Sequence, residues 1–480
     1  MATKIPTEII IKILNNVQSE DLHSSLLVNR IWCKVTIPIL WELILDHEYY
    51  SINRKTSLCI RTYISCMNTQ TRTLLIQNGF DLSSSPPQAT FDYPSFTHKI
   101  IINNLANLIT IYSQQIIDYF SLAKVNYSCP YKDLIGSILE LPGALKVFKK
   151  LKDFTSMRGN ISQIVPLYES LLLICDNILN MNLSYFSFTS SYQEELFSKL
   201  ISVQKQLENL TIFAFTKLDY SLFWAIISQK ETLKSLHLKF ARFYNFEGVS
   251  SPIGQIISLQ ELDLQDCYEF HKPECLFLAS SFIRLSSFHY WNLKSEHDGY
   301  RHPQEFIVKI LETANTNLKN IRLDLRPKIP FDIFSTILNY CTKVTNLTLC
   351  NLSPEQVIAI FNNNFNELKR FSFGCEKGLD ADELLCQMAK NVPESLETIE
   401  INMVYDNFWK FSADSLRKFL DGWCCKGGGG RVKRIIIKNK KNISKRIPLN
   451  ILELLPYTLT LEHFKVIEEY GIKFNLVEYY

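Results

Sequence analysis

One spacing of apolar residues recurs along the second half of the chain. From residue 207 onward, an apolar position is followed by apolar positions three and five residues later, as in LENLTI, LKSLHL and LQELDL. This alternation predicts a short strand with one buried face. The segments begin at residues 207, 233, 259, 285, 318, 344, 368, 396, 432 and 461. The commonest interval, 26 residues, is the length of a repeat that combines one strand with one helix.

Helical periodicity fills the stretches between the predicted strands. SPEQVIAIFNNN begins at Ser353 and DADELLCQMAKN at Asp380, and both residue types cap helix N-termini. A unit of strand, loop, helix and loop cannot cover its own apolar side, so neighbouring units must stack. The sequence therefore predicts an α/β fold, a solenoid with a parallel concave sheet and outer helices. Weaker forms of the pattern at LKDF (151) and MNLSYFSF (181) place its start near residue 140.

Strand residues that alternate with the core positions should project from the concave face. They are Ser235, His237, Lys239, Glu261, Asp263, Gln265, Ser287, His289, Trp291, Asn320, Arg322, Asp324, Arg370, Ser372, Thr398, Glu400 and Asn402. An exposed aromatic beside a cation that can bind in a bidentate manner is typical of a protein interface. We therefore expect a target to contact His237, Asp263, His289, Trp291, Arg322, Asp324, Arg370 and Glu400, with Trp291, Arg322 and Asp324 as the first cluster to test. The alternative is a solvated face with an incidental tryptophan.

The first 41 residues follow a different pattern, with three short amphipathic segments. Pro6 suits the start of a helix and Glu8 suits its first turn. The apolar stripe that follows is wider than that of an ordinary surface helix, so we expect two apolar neighbours. Asp21 is the expected cap of a second helix, and Pro38 is expected to end the next segment. Three such helices bury too little apolar surface to be stable alone, so a partner or the rest of the chain must cover them.

This stretch resembles the F-box, the motif by which substrate receptors bind the Skp adaptor of cullin–RING ubiquitin ligases. The resemblance covers residues 4–42 and rests on Ile5-Pro6-x-Glu8-Ile9, Asp21-Leu22, Leu27-Val28-x-Arg30-x-Trp32 and Pro38-x-Leu40-Trp41. It implies an adaptor interface formed by Ile5, Pro6, Ile9, Ile13, Leu22, Leu26, Val28 and Trp32, with Leu40 and Trp41 anchoring the third helix. The alternative is that these residues form the buried core of a helical cap on the repeats.

The repeats resemble the leucine-rich repeats that often follow an F-box. Cys267 stands where such repeats favour a buried Cys or Asn, but the equivalent positions hold Phe215, Ala241, Leu293 and Leu352. The resemblance implies an F-box at 1–45, a mainly helical spacer at 46–140 and a leucine-rich-repeat solenoid at 141–480. It further implies a non-catalytic receptor that binds the Skp adaptor, and through it a cullin, and that presents an unknown protein target. An interaction scaffold with a helical cap is the alternative, and an enzyme with unrecognised Cys or His chemistry is a third class.

Composition agrees with a folded protein inside the cell. The 480 residues are 46% hydrophobic and 21% charged. MATKIPTEII lacks the features of a signal peptide, and the apolar runs are too short to span a bilayer. Thirteen cysteines without a framework spacing fit reduced thiols, so we expect a cytoplasmic or nuclear protein. A net charge of +3 gives no reason to expect a nucleic acid or membrane partner.

One stretch is strongly basic. It carries eight cations in 16 positions without an acid, namely Arg431, Lys433, Arg434, Lys438, Lys440, Lys441, Lys445 and Arg446. Arg434 and Lys438 would face the concave side. The stretch is either a charged repeat with its loop or a docking site for acidic or phosphorylated segments.

Catalytic and metal-binding signatures are weak. Cys267, His271 and Cys275, with His289 further on, lack the spacing of a zinc site. Cys424-Cys425 does not suit a disulfide, and Gly427–Gly430 lacks the Lys-Ser or Lys-Thr of a phosphate-binding loop. We therefore expect no cofactor, no metal and no active site.

Overall fold

The computed structural model describes residues 5–44, 62, 65–77, 91, 93, 99–101, 149–156, 161–185, 191–214, 220–241, 256–267, 282–292, 303–325, 328–363, 365–375, 380–403, 411–426, 433–440 and 461–479. The chain divides into two compact units. Unit 1 comprises Met1–Phe213 and Asp219–Leu233, and unit 2 comprises Ala214–Leu218 and Lys234–Tyr480.

Unit 1 begins with three helices, which we name the N-terminal module (residues 5–44). They are α1 (Thr7–Leu14), α2 (Ser19–Ser25) and α3 (Arg30–Ile44). Ile10, Leu14 and Leu22 form a buried cluster, against which Val17, Trp32, Val35, Ile39 and Leu40 pack. The module therefore has a small core to which all three helices contribute.

The start of α1 agrees with the prediction, whereas two other boundaries in the module differ from it. Helix α1 begins directly after Pro6 and carries Glu8 in its first turn. Asp21 does not cap α2, because that helix already begins at Ser19. Pro38 does not end a segment either, because α3 runs through it. A proline removes one helical hydrogen bond, and the packing of Val35, Ile39 and Leu40 on both sides of Pro38 offsets that loss.

The remainder of unit 1 alternates strands with helices. Its helices are α4 (Thr69–Gln77), α5 (Ile161–Ile174), α6 (Ser191–Ser202) and α7 (Tyr220–Ser228). Its strands are β1 (Lys99–Ile101), β2 (Asp153–Thr155), β3 (Asn180–Tyr185) and β4 (Asn209–Ala214). The weak patterns at 151 and 181 thus correspond to β2 and β3. Because β1 pairs in parallel with β2, the sheet extends into the range 46–140 that the sequence assigns to a spacer.

Two buried glutamines join successive repeats of unit 1. Gln204 accepts a hydrogen bond from the amide of Ile178 at 2.9 Å, and its Nε2 donates to the carbonyl of Cys175 at 2.9 Å. Gln229, 25 residues later, donates through Nε2 to the carbonyl of Ile201 at 3.0 Å. Each glutamine satisfies buried backbone groups of the preceding repeat, which a water molecule would otherwise have to reach.

Unit 2 is a solenoid-type stack of strand–helix repeats. Its strands pair in parallel in the order of the chain. They are β5 (Ser235–Lys239), β6 (Glu261–Gln265), β7 (Ser287–Trp291), β8 (Asn320–Asp324), β9 (Asn346–Leu352), β10 (Arg370–Cys375), β11 (Thr398–Met403), β12 (Arg434–Lys440) and β13 (Lys473–Tyr479). The helices are α8 (Gln304–Ala314), α9 (Phe331–Tyr340), α10 (Pro354–Asn362), α11 (Ala381–Met388), α12 (Ala413–Lys426) and α13 (Leu461–Glu469). The predicted α/β architecture, a parallel sheet with outer helices, is confirmed.

Nine of the ten predicted strand segments contain strands, and the last one does not. The segments from 207 to 432 coincide with β4 to β12. LEHFKV at 461 lies in helix α13, and the strand comes later, at β13. His463, Val466 and Ile467 are the buried positions of α13, and their spacing of three and four residues is that of a helix face. The six residues LEHFKV carry apolar residues at spacings that fit a strand as well as a helix. In the structure they form a helix.

Local sequence also determines where helices begin. Ser353 caps α10 and forms a capping box with Gln356. Asp380 caps α11, because its carboxylate accepts from the amides of Asp382 and Glu383 at 3.1 Å each. Both caps were expected from the sequence.

Three strands of unit 2 share a left-handed residue near their C-terminal ends. Phe240, Asp266 and Asn351 have φ of 59°, 51° and 59°, and they occupy equivalent positions just after the concave segment of their strands. Asp and Asn adopt this left-handed conformation more readily than other non-glycine residues, whereas a phenylalanine there is strained. Ala241, Cys267 and Leu352, which follow them, are buried, as expected for the inward position of the repeat.

Candidate functional site

Helix α1 of the N-terminal module has two apolar stripes, and only one of them is buried. Ile10 and Leu14 are 2% and 0% exposed and form the core of the module. Ile9 and Ile13, on the adjacent stripe, remain 45% and 42% exposed, and Ile5 before the helix is exposed as well. Spacings of four residues align Ile5, Ile9 and Ile13 along one side of the chain. The wide arc predicted for α1 is therefore present, but the residues that the structure describes supply only one of its two expected neighbours.

Exposed apolar residues concentrate in this module. Among the described residues fourteen large apolar side chains are exposed, and seven of them lie in the first 31 positions. Besides Ile5, Ile9 and Ile13, these seven are Ile11, Leu27, Val28 and Ile31. A group of exposed apolar side chains of this density is typical of an interaction site.

The residues that the resemblance assigned to the adaptor interface fall into three groups. Ile5, Pro6, Ile9, Ile13 and Val28 are exposed. Leu26, Trp32, Leu40 and Trp41 are partly buried, and the ring of Trp41 lies 4.3 Å from that of Tyr93. Leu22 is buried in the core of the module, so it supports the surface from beneath instead of contributing to it.

Three exposed residues of the module and the cap of α3 were not among the predicted interface residues. Ile11, Leu27 and Ile31 are exposed. Of these three, only Ile11 belongs to the wide apolar stripe that the sequence predicts for α1. Asn29 caps α3, because its Oδ1 accepts from the amides of Ile31 at 2.9 Å and Trp32 at 3.0 Å. This cap fixes the start of the helix that carries Ile31.

The sheet face of unit 2 that the sequence predicts to be concave is the second candidate surface. Strand pairing places the predicted residues in rows that run across the strands. The second row contains, in register, His237, Asp263, His289, Arg322, Thr348, Ser372 and Glu400. The intervening positions, such as Leu236 and Leu238, are buried in the core. The predicted alternation of the two faces is therefore confirmed for these strands.

His237 is held by its neighbours in this surface. Its Nε2 lies 2.7 Å from Oγ of Ser235, and its Nδ1 lies 3.3 Å from Oδ2 of Asp263. The order of serine, histidine and aspartate is that of a catalytic triad. Ser235 is nearly buried, however, and its hydroxyl also lies 3.2 Å from Oε2 of Glu261. We interpret the arrangement as a network that orients His237.

Burial and charge shift two pKa values in this row. Burial alone would raise the pKa of Asp263, but the hydrogen bond and charge of His237, with the charges of His289 and Lys239, outweigh it and lower that pKa. Burial lowers the pKa of His289, and the charge of Arg322 lowers it further, against the opposing effect of Asp263 and Glu261. Asp263 is therefore an anion at neutral pH, whereas His289 is mainly neutral.

The structure brings together the cluster that the sequence singled out. Trp291 is in register with Asp324, and His289 is in register with Arg322, on the adjacent strands β7 and β8. Trp291 and Asp324 are partly buried, whereas Arg322 is exposed. The side chain of Arg322 makes no hydrogen bond or ion pair with the residues that the structure describes. An aromatic ring and a cation are thus available on neighbouring strands.

Arg370 and Glu400 contact each other, which changes the role expected for Glu400. Nη2 of Arg370 donates to Oε2 of Glu400 at 2.7 Å, and Oγ of Ser372 donates to Oε1 at 3.0 Å. Glu400 is 3% exposed, so it does not present a carboxylate to a partner. Its role is to hold Arg370, which remains exposed at the surface.

Half of the described thiols are buried, and the other half are partly exposed. Cys267 is buried with Sγ 3.2 Å from the carbonyl of Leu238, and burial raises its pKa. Burial also raises the pKa of Cys175 and Cys341 to about 12, which leaves both thiols protonated. Within the described ranges, no group of three or more His, Cys, Asp and Glu side chains is arranged to hold a metal ion. His271, Cys275 and Gly427–Gly430 lie outside those ranges.

No helix in the described part of the chain is both long and apolar enough to cross a bilayer. In comparisons with known proteins, no family model matches the chain, and the search of curated proteins finds no match either.

Proposed function

We propose that this protein is the substrate-recognition subunit of a Skp–cullin–F-box ubiquitin ligase. The N-terminal module is the F-box and binds the Skp adaptor, and the concave face of the leucine-rich repeats binds a protein target. The observation that carries the proposal is the exposure of Ile5, Ile9 and Ile13 beside the buried Ile10 and Leu14. A helix with a second apolar stripe in water is stabilised by a partner that covers it.

The same observation argues against the alternative of a helical cap. A cap would place its apolar stripes against the repeats, so that Ile9, Ile13 and Val28 would be buried by this chain. All three are exposed. The partly buried Trp32 packs on the core of the module itself, which leaves the outer stripe for another protein.

In this proposal the chain is a non-catalytic receptor. Its contribution to ubiquitin transfer is to hold the target close to a ubiquitin-charged enzyme that the adaptor and cullin recruit. Holding two reactants in one assembly raises their effective concentration, which accelerates the transfer without a catalytic residue in the receptor. Such a ligase subunit would act in the cytoplasm or the nucleus.

The test is co-purification of the tagged full-length protein with the Skp adaptor. The double variant Ile9→Asp, Val28→Asp places two charges on the exposed apolar surface and should reduce capture of the adaptor about tenfold or more. The matched control, Val203→Asp with Ile283→Asp, changes two exposed apolar residues elsewhere and should capture the adaptor like the wild type. Ile10→Asp, at the buried position, serves to show the effect of disrupting the module itself.

Equal capture by the wild type and by the Ile9→Asp, Val28→Asp variant would contradict the proposal. So would a wild-type protein that remains monomeric and captures no adaptor, and this result would favour the interaction scaffold. Circular dichroism of each variant shows whether a loss of capture arises from the surface or from unfolding.

A further inference from the structure

A row of cations crosses the last strands of unit 2. The first residues of β10, β11, β12 and β13 are in register and form this row, which we name the basic row. It consists of Arg370, Thr398, Arg434 and Lys473. Three of its four positions are therefore cationic, and none is acidic.

The cations of the basic row differ in how they are neutralised. Arg370 donates to Glu400, although its side chain remains 46% exposed. Arg434 and Lys473 are exposed, and the side chain of neither makes a hydrogen bond or ion pair with any residue in the described ranges. Like charges directly opposite each other on paired strands repel, so this pair is destabilising until an anion lies between or above them.

The guanidinium of Arg370 is held in a position where it can bind a further carboxylate. Glu400 is buried and accepts from both Arg370 and Ser372, and the amide of Asn402 donates to Oγ of Ser372 at 2.8 Å. This network fixes the guanidinium near the surface of the sheet, while its exposed edge retains free donors. An ordered guanidinium loses less conformational entropy on binding a carboxylate than a free one does.

We propose that the target of the concave face is an extended protein segment rich in Asp and Glu, which lies across β10–β13 with its carboxylates on the basic row. This inference rests on the proposed function, because it names the class of target that the same face binds. The exposed Arg322 on β8 extends the cationic character of the face towards the middle repeats.

The spacing of the cations favours carboxylates over a single phosphate. Adjacent strands are about 4.8 Å apart, and alternate residues of an extended segment lie about 7 Å apart on one side. Cations on three of four neighbouring strands therefore span about 14 Å, the length over which an extended segment presents three alternate side chains. A single phosphate between Arg434 and Lys473 would leave Arg370, two strands from Arg434, without an added anion.

The experiment uses the full-length protein, in complex with the Skp adaptor where that complex forms, and measures binding by fluorescence anisotropy. The probe is a labelled peptide with glutamate at alternate positions, and its control has glutamine at those positions. Arg434→Ala and Lys473→Ala should each weaken binding of the glutamate peptide roughly two- to fivefold, as expected for exposed ion pairs. Lys418→Ala and Lys465→Ala, at two exposed cations on α12 and α13, each remove the same charge and should leave binding unchanged.

Three results would overturn the inference. The first is equal binding of the glutamate and glutamine peptides. The second is a similar loss in the Lys418→Ala and Lys465→Ala controls, which would reflect net charge alone. The third is a peptide with a single phosphoserine that binds more tightly than the glutamate peptide and depends on the basic row, which would identify a phosphorylated target instead. Adaptor capture is measured separately, so a protein that binds the peptide without the adaptor would contradict only the proposed ligase function.

Discussion

Single buried polar groups connect neighbouring repeats of unit 2, and Glu400 is the clearest example. It accepts from Arg370 and Ser372, both 28 to 30 residues earlier in the chain. We expect Glu400→Ala to destabilise the protein by about 1–3 kcal/mol, because it leaves the buried hydroxyl of Ser372 without its acceptor. The measurement is the free energy of unfolding from urea denaturation.

A matched control separates the lost acceptor from general surface effects. Glu394→Ala lies six residues earlier and changes an exposed carboxylate of the same charge. This control should lower the free energy of unfolding by less than Glu400→Ala does. Equal effects of the two substitutions would contradict the role given to Glu400.

His289 should make the stability of unit 2 depend on pH. Its pKa is lowered in the folded state, so the unfolded chain takes up a proton first as the pH falls. The contribution of His289 to stability is fully present above the ordinary histidine pKa of about 6.5. It is lost as the pH falls through the lowered pKa of the folded state. Asp263, whose pKa is also lowered, adds a further loss at more acidic pH, below the ordinary aspartate value.

The measurement is the urea midpoint between neutral pH and pH of about 5, for the wild type and His289→Asn. The wild type should lose stability over this range, and the variant should lose less because it has no group to protonate. An identical slope for both proteins would show that His289 is not the source.

Among the elements, α3 depends on one capping residue. Asn29 accepts from the amides of Ile31 and Trp32, so Asn29→Ala removes the partner of two otherwise free amides. We expect Asn29→Ala to lower the stability by about 1 kcal/mol, whereas Asn29→Ser should keep most of the wild-type stability, because serine also caps helices. Hydrogen exchange of the first amides of α3 is the measurement, and equal protection in the alanine and serine variants would contradict the prediction.

The sequence predicts most elements of unit 2 because each repeat shows its period. Alternating apolar residues identify β5 to β12, and Ser353 and Asp380 mark the starts of α10 and α11. The strand predicted at 461 is wrong, because six residues are too few to distinguish a strand from a helix when their apolar positions fit both. The run of α3 through Pro38 could not be predicted, because it depends on packing within the module.

The candidate surfaces were only partly predictable for a related reason. Alternation assigns a strand residue to a face, as it does for Arg322 and Trp291, but it does not determine burial. Glu400 is on the expected face and yet buried, because Arg370 and Ser372 lie in reach from the preceding strand. Contacts between residues about 30 positions apart depend on register, which a single sequence does not specify.

For the whole molecule, the exposed apolar side chains of the N-terminal module have a direct physical consequence. We expect the full-length protein without adaptor to self-associate and to bind a hydrophobic dye. Ile9→Gln and Ile13→Gln should each weaken self-association about fivefold, since covering half of an isoleucine side chain contributes about 1 kcal/mol. Analytical ultracentrifugation measures this effect.

The control for this prediction is the buried position next to them. Ile10→Gln should lower the unfolding temperature and increase dye binding, because it places an amide in the core of the module. If Ile9→Gln and Ile13→Gln leave self-association unchanged, these side chains do not form the associating surface.

The in-register pairing of β5 to β8 has a consequence for how such a chain could change. His237, Asp263, His289 and Arg322 each come from a different strand but share one line. Gain or loss of one complete repeat would lengthen or shorten that line by about 4.8 Å and leave the side chains on either side in the same order. If the proposed function holds, the number of repeats sets the length of the segment that this face binds, and single substitutions set which residues that segment must carry.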